Sequence, residues 1–320
     1  MKKCCFVIPY FGKLPNYFQL FLNSCKYNEG FEWLIITDDK SLFEYPNNVK
    51  TVFCSFEDLK LKIQSYYDFE ISLEKPYKLC DFRPAYGEIF EEYLTDFEFW
   101  GYCDTDILIG DLNYFLTADI LSKYDKLFCL GHMALFRNKK EDLQLYKTAV
   151  NNELWYVEAF SSPQNIIFDE NCKSGKNIHK IYKYLGKKVL EVDWSINFKI
   201  LPTRFVKITF MPETGNFEED AQSAVYTWEK GKVYRYTFKE HVIKEEFLYI
   251  HLQERKMKMK PNVISLDKVK IVPNTFEELE VPEVSNSTFT KIKKYAFNFH
   301  YFEYHYKWKK KRMKELLRIK

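Results

Sequence analysis

Short apolar runs alternate with helical patterns at the start of the chain, and this alternation constrains the fold more than any other feature. Strand-like runs lie at 3–10, 33–37 and 51–54, and helical patterns lie at 16–27 and 55–67. Strands that alternate with helices favour a parallel sheet covered by helices. The sequence therefore predicts an α/β fold with a mainly parallel central sheet.

Two short motifs predict the start of a helix and the turn of a hairpin. Ser55 and Asp58 precede a helical pattern with the spacing of a capping box, in which the residue at the third helical position is aspartate. The triplet 229–231, Glu-Lys-Gly, lies between strand-like runs at 224–228 and 232–238. A short glycine-containing connection of this kind predicts a β-hairpin.

The composition excludes several classes of protein. Of 320 residues, 46% are hydrophobic and 29% are charged, which is typical of a globular chain and not of a disordered one. Only 10 residues are glycine, and neither glycine-rich nucleotide-binding motif occurs. None of the eight cysteines forms a C-x-x-C pair, and no window of 18 residues is wholly apolar. We expect a cytosolic chain without a membrane-spanning segment.

Two aspartates carry the chemistry that the sequence indicates most clearly. Asp104 and Asp106 follow the apolar run 98–103, and Asp111 comes shortly after them. Ligand sites of open α/β sheets lie at the carboxyl ends of strands, and two carboxylates there can converge on one hard cation. A solvated turn is the alternative for a D-x-D pair, but its place after a buried strand favours a site for Mg²⁺ or Mn²⁺.

Two segments of the chain resemble GT-A glycosyltransferases. The segment 78–87 reads KLCDFRPAYG, and the segment 99–106 reads FWGYCDTD and ends in the pattern Y-x-D-x-D. This layout is similar to that of mannosyl- and galactosyltransferases of glycolipid and capsule pathways. Over residues 3–260 the chain also resembles an uncharacterised bacterial group from capsule and exopolysaccharide clusters, which shares the sequences IPYFG, DTDILIGD and YIHLQ. The resemblance implies a GT-A fold, which is a Rossmann-like fold that binds nucleotide sugars.

The resemblance also implies a nucleotide-sugar donor, usually a uridine diphosphate sugar, and a metal site made by Asp104, Asp106 and His251. Tyr10 can stack on a base, and carboxylates at the end of the second strand can accept from uracil or ribose. Basic side chains can neutralise the phosphates. The residues expected to bind the donor are Pro9, Tyr10, Phe11, Asp38, Asp39, Lys78, Asp81, Arg83, Asp104 and Lys256.

Three carboxylates are candidates for the reacting centre. Asp169, Glu170 and Asp193 each lie next to or near an aromatic residue, and aromatic faces stack on sugar rings. One of them could act as general base in an inverting enzyme. In a retaining enzyme the same groups would orient the substrate or stabilise an oxocarbenium-like state, and the resemblance favours retention.

The end of the chain is strongly basic. Residues 291–320 carry a net charge of +9, which leaves −6 on residues 1–290. Aromatic residues lie among the lysines, which is typical of a helix that binds an anionic membrane surface. A helix packed on the body and a nucleic-acid-binding tail are the alternatives, and we expect no nucleic acid. The polar stretch 282–290 predicts domains at 1–285 and 286–320.

These observations predict a metal-dependent hexosyltransferase. It would use Mn²⁺ or Mg²⁺ to move a hexose from a nucleotide sugar to a lipid-linked oligosaccharide in capsular or exopolysaccharide biosynthesis. It would be cytoplasmic and peripheral on the inner face of the cell membrane. The alternatives are a nucleotidyl- or phosphotransferase that uses the same metal site, and a non-catalytic scaffold that binds carbohydrate or membrane.

Overall fold

The computed structural model describes residues 1–171, 175–199, 201, 204–253, 255–260, 262–293 and 299–318. The chain divides into two compact units. The first contains Met1–Thr105, Leu112–Asp193 and Phe210–Asn216, and the second contains Asp106–Asp111, Trp194–Thr209 and Phe217–Lys320. This division does not fall near residue 285, and the domain boundary at that position stays a prediction.

The described residues form strands and helices of modest length. The strands are β1 (Lys2–Tyr10), β2 (Phe31–Thr37), β3 (Val49–Phe53), β4 (Phe97–Cys103), β5 (Ile107–Ile109), β6 (Lys126–Leu127), β7 (Met133–Arg137), β8 (Val189–Leu190), β9 (Ser195–Phe198), β10 (Lys207–Met211), β11 (Asn216–Asp220), β12 (Ala224–Glu229), β13 (Lys232–Phe238), β14 (Val242–Phe247), β15 (Tyr249–His251), β16 (Lys258–Met259), β17 (Lys268–Val272) and β18 (Thr275–Glu278). The α-helices are α1 (Phe18–Cys25), α2 (Phe56–Gln64), α3 (Leu79–Phe82), α4 (Tyr86–Ile89), α5 (Leu112–Phe115), α6 (Ala118–Lys123), α7 (Trp155–Ser161), α8 (Ile178–Tyr184), α9 (Phe289–Ile292) and α10 (His300–Arg318). Single turns of 3₁₀-helix lie at Pro76–Lys78, Arg83–Ala85, Glu91–Tyr93, Lys140–Asp142, Leu145–Lys147 and Val263–Ser265.

A seven-stranded sheet organises the first unit. Its strand order is β3-β2-β1-β4-β7-β6-β8. The neighbours β3, β2, β1 and β4 are parallel, and β7 is antiparallel to both β4 and β6. The predicted α/β class with a mainly parallel sheet is therefore confirmed. Because β1, β2 and β4 run in one direction, their carboxyl ends meet at one edge, where a ligand site of such a sheet is expected.

Aromatic side chains fill the core of this unit. Parallel strands that are covered on both faces carry continuous apolar runs, and β1, β2 and β4 have this pattern. Trp100 stacks on Phe136 with ring centroids 4.4 Å apart. Gly87 makes room for that indole, since a Cβ at Gly87 would lie 2.4 Å from the Trp100 ring. Many of the aromatic residues of the sequence are thus core residues.

Local sequence signals set some element ends as predicted. The Ser55 side chain accepts from the Asp58 amide, and the Asp58 side chain accepts from the Ser55 amide, so the predicted capping box begins α2. In the second unit, β12 and β13 form the predicted antiparallel hairpin. Lys230 and Gly231 at its turn both have positive φ, of 47° and 80°. Two central residues with positive φ match the twist of the hairpin strands.

The remaining strands are short, and they form two sheets with mostly antiparallel neighbours. One sheet has the order β14-β13-β12-β17-β18-β16, and a five-stranded sheet has the order β11-β10-β9-β15-β5. Strand β15 pairs in antiparallel with β5 and in parallel with β9. This pairing places the end of β15, at His251, opposite the start of β5, at Ile107.

The chain after residue 285 has two different parts. Phe289 and Ile292 of α9 are buried in a cluster with Val225 and Tyr236. Phe302, Tyr306 and Met313 are exposed on the later helix α10, and Phe299, just before that helix, is also exposed. Residues 294–298 of the predicted tail lie outside the described residues. No helix in the described part of the chain has the length and apolar character needed to cross a membrane.

Candidate metal and sugar-nucleotide site

The ends of β1 and β2 carry the predicted base and ribose contacts. The Asp38 carboxylate accepts from the Gly12 amide at 2.7 Å, and the Asp39 carboxylate accepts from the Leu14 amide at 2.9 Å. Phe11 is buried and packs edge-to-face on Phe56, with ring centroids 5.4 Å apart. The two aspartates therefore fix the loop after β1. The donor contacts of these side chains stay predictions, as do those of Pro9 and Tyr10 at the end of β1.

Arg83 is the centre of a charged network in the first unit. Its guanidinium donates to the Gly131 carbonyl at 2.7 Å and to Asp169 Oδ2 at 2.9 Å. It also donates to Asp104 Oδ1. The guanidinium carbon lies 5.1 Å from the centroid of the Tyr102 ring. Arg83 thus links Tyr102 of β4 to Asp104 of the D-x-D motif and to the candidate catalytic carboxylate Asp169.

Asp169 and Glu170 meet at a glycine. Glu170 Oε2 accepts from the Gly131 amide at 2.7 Å. A Cβ at Gly131 would lie 2.9 Å from that oxygen and 3.1 Å from Asp169 Oδ2, so a larger residue would displace both carboxylates. Burial raises the pKa of Asp169 to about 7, although the Arg83 charge opposes this rise. The Tyr102 hydroxyl fixes the backbone of Asp169 by donating to its carbonyl at 2.7 Å.

Asp193, the third predicted carboxylate, makes a different contact. Its Oδ2 accepts from the amide of Phe210, a residue of β10, at 2.9 Å. This contact anchors a backbone amide, and the catalytic role of Asp193 stays a prediction.

Lys78 and Asp81 form a buried ion pair. Lys78 Nζ lies 2.7 Å from Asp81 Oδ2 and donates to the carbonyls of Ala159, at 2.8 Å, and Gln164, at 2.5 Å. An ammonium group has three hydrogens, and these three acceptors match them. The contacts favour a structural role for the pair over the predicted phosphate and donor contacts.

In the second unit, Asp106 and His251 face each other. The antiparallel pairing of β5 and β15 brings the segments together, and the Leu252 amide donates to the Asp106 carbonyl at 2.9 Å. His251 Nε2 then lies 3.4 Å from Asp106 Oδ1, and both side chains are about one-tenth exposed. A strand pair, and not a flexible loop, holds the two groups together.

Asn197 contacts the ring nitrogen of His251 that faces away from Asp106. Its Oδ1 accepts from the Phe198 amide at 3.0 Å and from the Gln253 side-chain amide at 2.8 Å. The same oxygen lies 3.2 Å from His251 Nδ1, so Nδ1 is the donor of that hydrogen bond. In a neutral imidazole the lone pair is then on Nε2, facing the Asp106 carboxylate. Either a proton on Nε2 or a metal cation can join these two groups at this distance.

Asp104 stands two residues before Asp106 and completes a group of three potential metal ligands with Asp106 and His251. Carboxylate oxygen and imidazole nitrogen suit Mn²⁺ and, with more water, Mg²⁺. An outer hydrogen bond to the far nitrogen of a histidine, as Asn197 makes, is the usual support of a metal ligand. The donor set therefore fits the predicted metal.

The two adjacent basic residues after His251, Arg255 and Lys256, differ in burial. Arg255 is buried and donates to the carbonyls of Lys199, at 2.7 Å, and Leu201, at 3.2 Å. Lys256 is exposed, with its Nζ 3.4 Å from Glu303 Oε2. Its predicted contact with the diphosphate stays a prediction.

Sequence reasoning missed the residues that support the site. Asn197 is a neutral amide within β9, and only the pairing of β9 with β15 shows its role. Gly131 lies in the loop between β6 and β7, where Asp169 and Glu170 approach it. The close approach of two carboxylates to a glycine leaves no mark in a single sequence.

Comparisons with known proteins give one assignment. Two of the similar solved structures are described as galactosyltransferase LgtC with donor and acceptor sugar analogues, and an active-site mutant of LgtC. They are 15% and 14% identical over 61% of this chain and 75% and 74% of theirs, with a TM-score of 0.34. A TM-score of this size assigns no activity. No curated protein matches the sequence. The model of one protein family matches residues 6–280, so the chain belongs to DUF6625, a family of unknown function.

Proposed function

We propose that the protein is a metal-dependent GT-A glycosyltransferase. It would transfer a hexose from a nucleotide sugar, with UDP as the expected carrier, to a lipid-linked oligosaccharide in capsular or exopolysaccharide biosynthesis. The observation that supports this most is the contact of His251 Nε2 with Asp106, 3.4 Å apart, with Asn197 on the opposite ring nitrogen. This arrangement, next to a D-x-D motif at the end of a buried strand, suits a cation that binds a diphosphate.

Asp104, Asp106 and His251 would hold the cation. When bound, Mn²⁺ or Mg²⁺ would act as a Lewis acid that neutralises charge on the departing nucleoside diphosphate. Asn197 would hold the His251 ring with Nε2 toward Asp106, the orientation that a metal ligand requires.

Arg83 would organise the reacting centre. It bonds to Asp104 on one side and to Asp169 on the other, so it ties a candidate metal ligand to a candidate catalytic carboxylate. Asp169 and Glu170 would orient the hexose by accepting from its hydroxyls, or would stabilise positive charge at the anomeric carbon. Burial of Asp169 strengthens such electrostatic contacts because little water screens them.

The exposed side chains of α10 support the proposed membrane association and, with it, the lipid-linked acceptor. Lysines 307, 309, 310, 311 and 314 and Arg312 are exposed on this helix, near the exposed rings of Phe302 and Tyr306. Cationic side chains attract anionic lipids, and aromatic rings settle at headgroup depth. We propose that α10 binds the inner face of the cell membrane, where a lipid-linked acceptor would be available.

The test is product release from a panel of nucleotide sugars by the full-length chain. With Mn²⁺ and the correct donor, we expect release of nucleoside diphosphate, slowly to water and faster with acceptor. Asp106→Asn should lower this rate at least about 100-fold, since losing an outer partner of a metal ligand alone costs 10–100-fold. Asp111→Asn is the control, because Asp111 lies nearby in the chain and pairs with Lys232 at 3.4 Å.

The products also separate the proposal from its alternatives. Release of pyrophosphate or of nucleoside monophosphate would assign a nucleotidyl- or phosphotransferase. Full turnover in excess chelator, or equal loss in Asp106→Asn and Asp111→Asn, would contradict the proposed metal site. Binding of carbohydrate and vesicles with no turnover of any donor would favour a scaffold.

A further inference from the structure

The backbone at Ile167 is in a conformation that its side chain disfavours. Ile167 has a φ of 62°, in the left-handed region. A β-branched residue is a genuine outlier there, because its Cβ substituents crowd the backbone. The side chain is 40% exposed, so burial of apolar surface does not account for the conformation. Backbone strain of this kind persists only where the surroundings impose it.

The buried carboxylate of Asp81 holds the backbone at Ile167 in this conformation. The amides on either side of Ile167 both donate to Asp81: Ile166 N to Oδ2 and Phe168 N to Oδ1, each at 2.9 Å. The two oxygens of one carboxylate thus hold the amides of Ile166 and Phe168, which fixes the backbone turn at Ile167 between them. Asp81 is completely buried, so these bonds are shielded from water.

Lys78 pairs with Asp81 in that buried position. The ammonium contacts Asp81 Oδ2 at 2.7 Å, and the carbonyl of Gln164, in the loop that leads to Ile167, at 2.5 Å. Buried ion pairs often contribute little net stability, because removing two charges from water is costly. A costly pair that maintains a strained turn is better explained by the geometry that it enforces than by the stability of the fold.

The turn at Ile167 leads directly to the two candidate carboxylates, Asp169 and Glu170. After Ile167, the Phe168 side chain is buried and its carbonyl accepts from the Ile178 amide at 2.9 Å. Asp169 then bonds to Arg83, and Glu170 bonds to the Gly131 amide. The direction in which the chain leaves Ile167 therefore determines where both carboxylates lie.

We propose that Lys78 and Asp81 are positioning residues for catalysis, which hold the Ile167 turn and through it aim Asp169 and Glu170 at the substrate. This inference rests on the proposed function for its catalytic part. It replaces the expected donor contact of Lys78 and Asp81 with an indirect role. It also makes a prediction about strain that is independent of any activity.

The strain is tested first, on stability alone. Glycine adopts positive φ without penalty, whereas alanine does not. Ile167→Gly should therefore melt higher than Ile167→Ala by about 2 °C or more, although glycine is normally the more destabilising of the two. An Ile167→Ala protein as stable as or more stable than Ile167→Gly would overturn the proposal, whatever the enzyme does.

The positioning role is tested with a charge-free pair, Lys78→Met with Asp81→Asn, which avoids leaving one buried charge alone. We expect kcat for nucleoside diphosphate release to fall at least about tenfold, with the donor KM little changed, because a displacement of about 1 Å at a reacting group can cost 100-fold. Adding Ile167→Gly should recover at least about threefold of kcat, since glycine restores the turn without the grip.

A merely structural role gives the opposite pattern. It would lower the melting temperature and leave kcat of the folded fraction unchanged, and added glycine would not restore activity. Either result overturns the positioning role. If the charge-free pair does not fold, the Gly and Ala variants at Ile167 still decide whether the turn is strained. If the wild-type chain releases no nucleoside diphosphate, the proposed function fails while the strain comparison stands.

Discussion

Lys126 is a completely buried cation in the first unit. Its Nζ donates to the Phe128 carbonyl and lies 5.2 Å from the centroid of the Phe136 ring. Phe128 itself has a φ of 67°, at the start of the loop that leads to Gly131. Burial lowers the pKa of Lys126 to about 8, because the charged form loses its hydration.

This pKa predicts how the stability of a variant depends on pH. The folded pKa of Lys126 lies below the unfolded value, so the penalty for burying the charge is complete below pH 8 and disappears as the pH rises toward 10.5. The shift corresponds to about 3 kcal/mol. The stability of Lys126→Met relative to wild type should therefore fall by up to about this amount between pH 7 and pH 10.

Urea unfolding at both pH values measures this difference, and other titrating groups cancel in it. The lost hydrogen bond to Phe128 shifts both points equally, so only the pH dependence is diagnostic. If the difference in unfolding free energy between variant and wild type stays constant from pH 7 to pH 10, burial does not lower the pKa of Lys126.

At the scale of residues, the sequence predicted groups whose chemistry is unusual and missed groups whose role depends on neighbours. Asp104, Asp106 and His251 could be named because carboxylates after a buried strand and a late histidine suit a metal. The grip of Asp81 on the Ile167 turn could not, because it joins residues 85 and more positions apart. A charged pair looks the same in sequence whether it binds a phosphate or a backbone.

At the scale of elements, local signals predicted what local chemistry controls. The capping box of α2 and the turn between β12 and β13 depend on residues within four positions of each other. The polar stretch at 282–290 looked like a linker, yet Phe289 pairs with Phe238 at 5.7 Å between ring centroids. Burial of α9 against β13 is a tertiary effect that polarity alone does not reveal.

The position of α9 changes where the tail can be cut. A chain that ends at Lys293 keeps Phe289 and Ile292, and its unfolding free energy should match that of the full chain. A chain that ends at Ser287 loses two buried apolar side chains and should be less stable by about 3–6 kcal/mol. Urea unfolding of the two truncated chains measures the difference, and equal stability would contradict the packing of α9.

The chain that ends at Lys293 also tests the membrane role of α10. Full-length protein should co-sediment with anionic vesicles, and less so as salt rises from 0.15 to 1 M and the Debye length shrinks from about 8 to about 3 Å. The truncated chain and neutral vesicles should show little binding. Equal co-sedimentation of both chains with anionic vesicles would remove this role from α10.

At the scale of the whole molecule, charge is distributed unevenly along the chain. The net charge of +9 on residues 291–320 opposes −6 on the rest, and the carboxylates of the proposed site belong to the acidic part. An acidic site repels a free nucleoside diphosphate, since both carry negative charge. We therefore expect that donor binding, and not only the transfer step, depends on a divalent cation.

We propose that Asp104, Asp106 and His251 bind a cation that in turn binds the diphosphate. Calorimetric titration of UDP into the full-length chain measures this directly, with Mn²⁺ and with chelator. His251→Ala removes one ligand, and His241→Ala, at an exposed histidine elsewhere in the second unit, is the matched control.

We predict that UDP binds with Mn²⁺ and that binding is lost in chelator. Affinity should fall about tenfold or more in His251→Ala, because a water replaces the imidazole only in part, and should be unchanged in His241→Ala. UDP binding of equal affinity with Mn²⁺ and with chelator, or equal affinity in His251→Ala and wild type across a Mn²⁺ titration, would contradict the account.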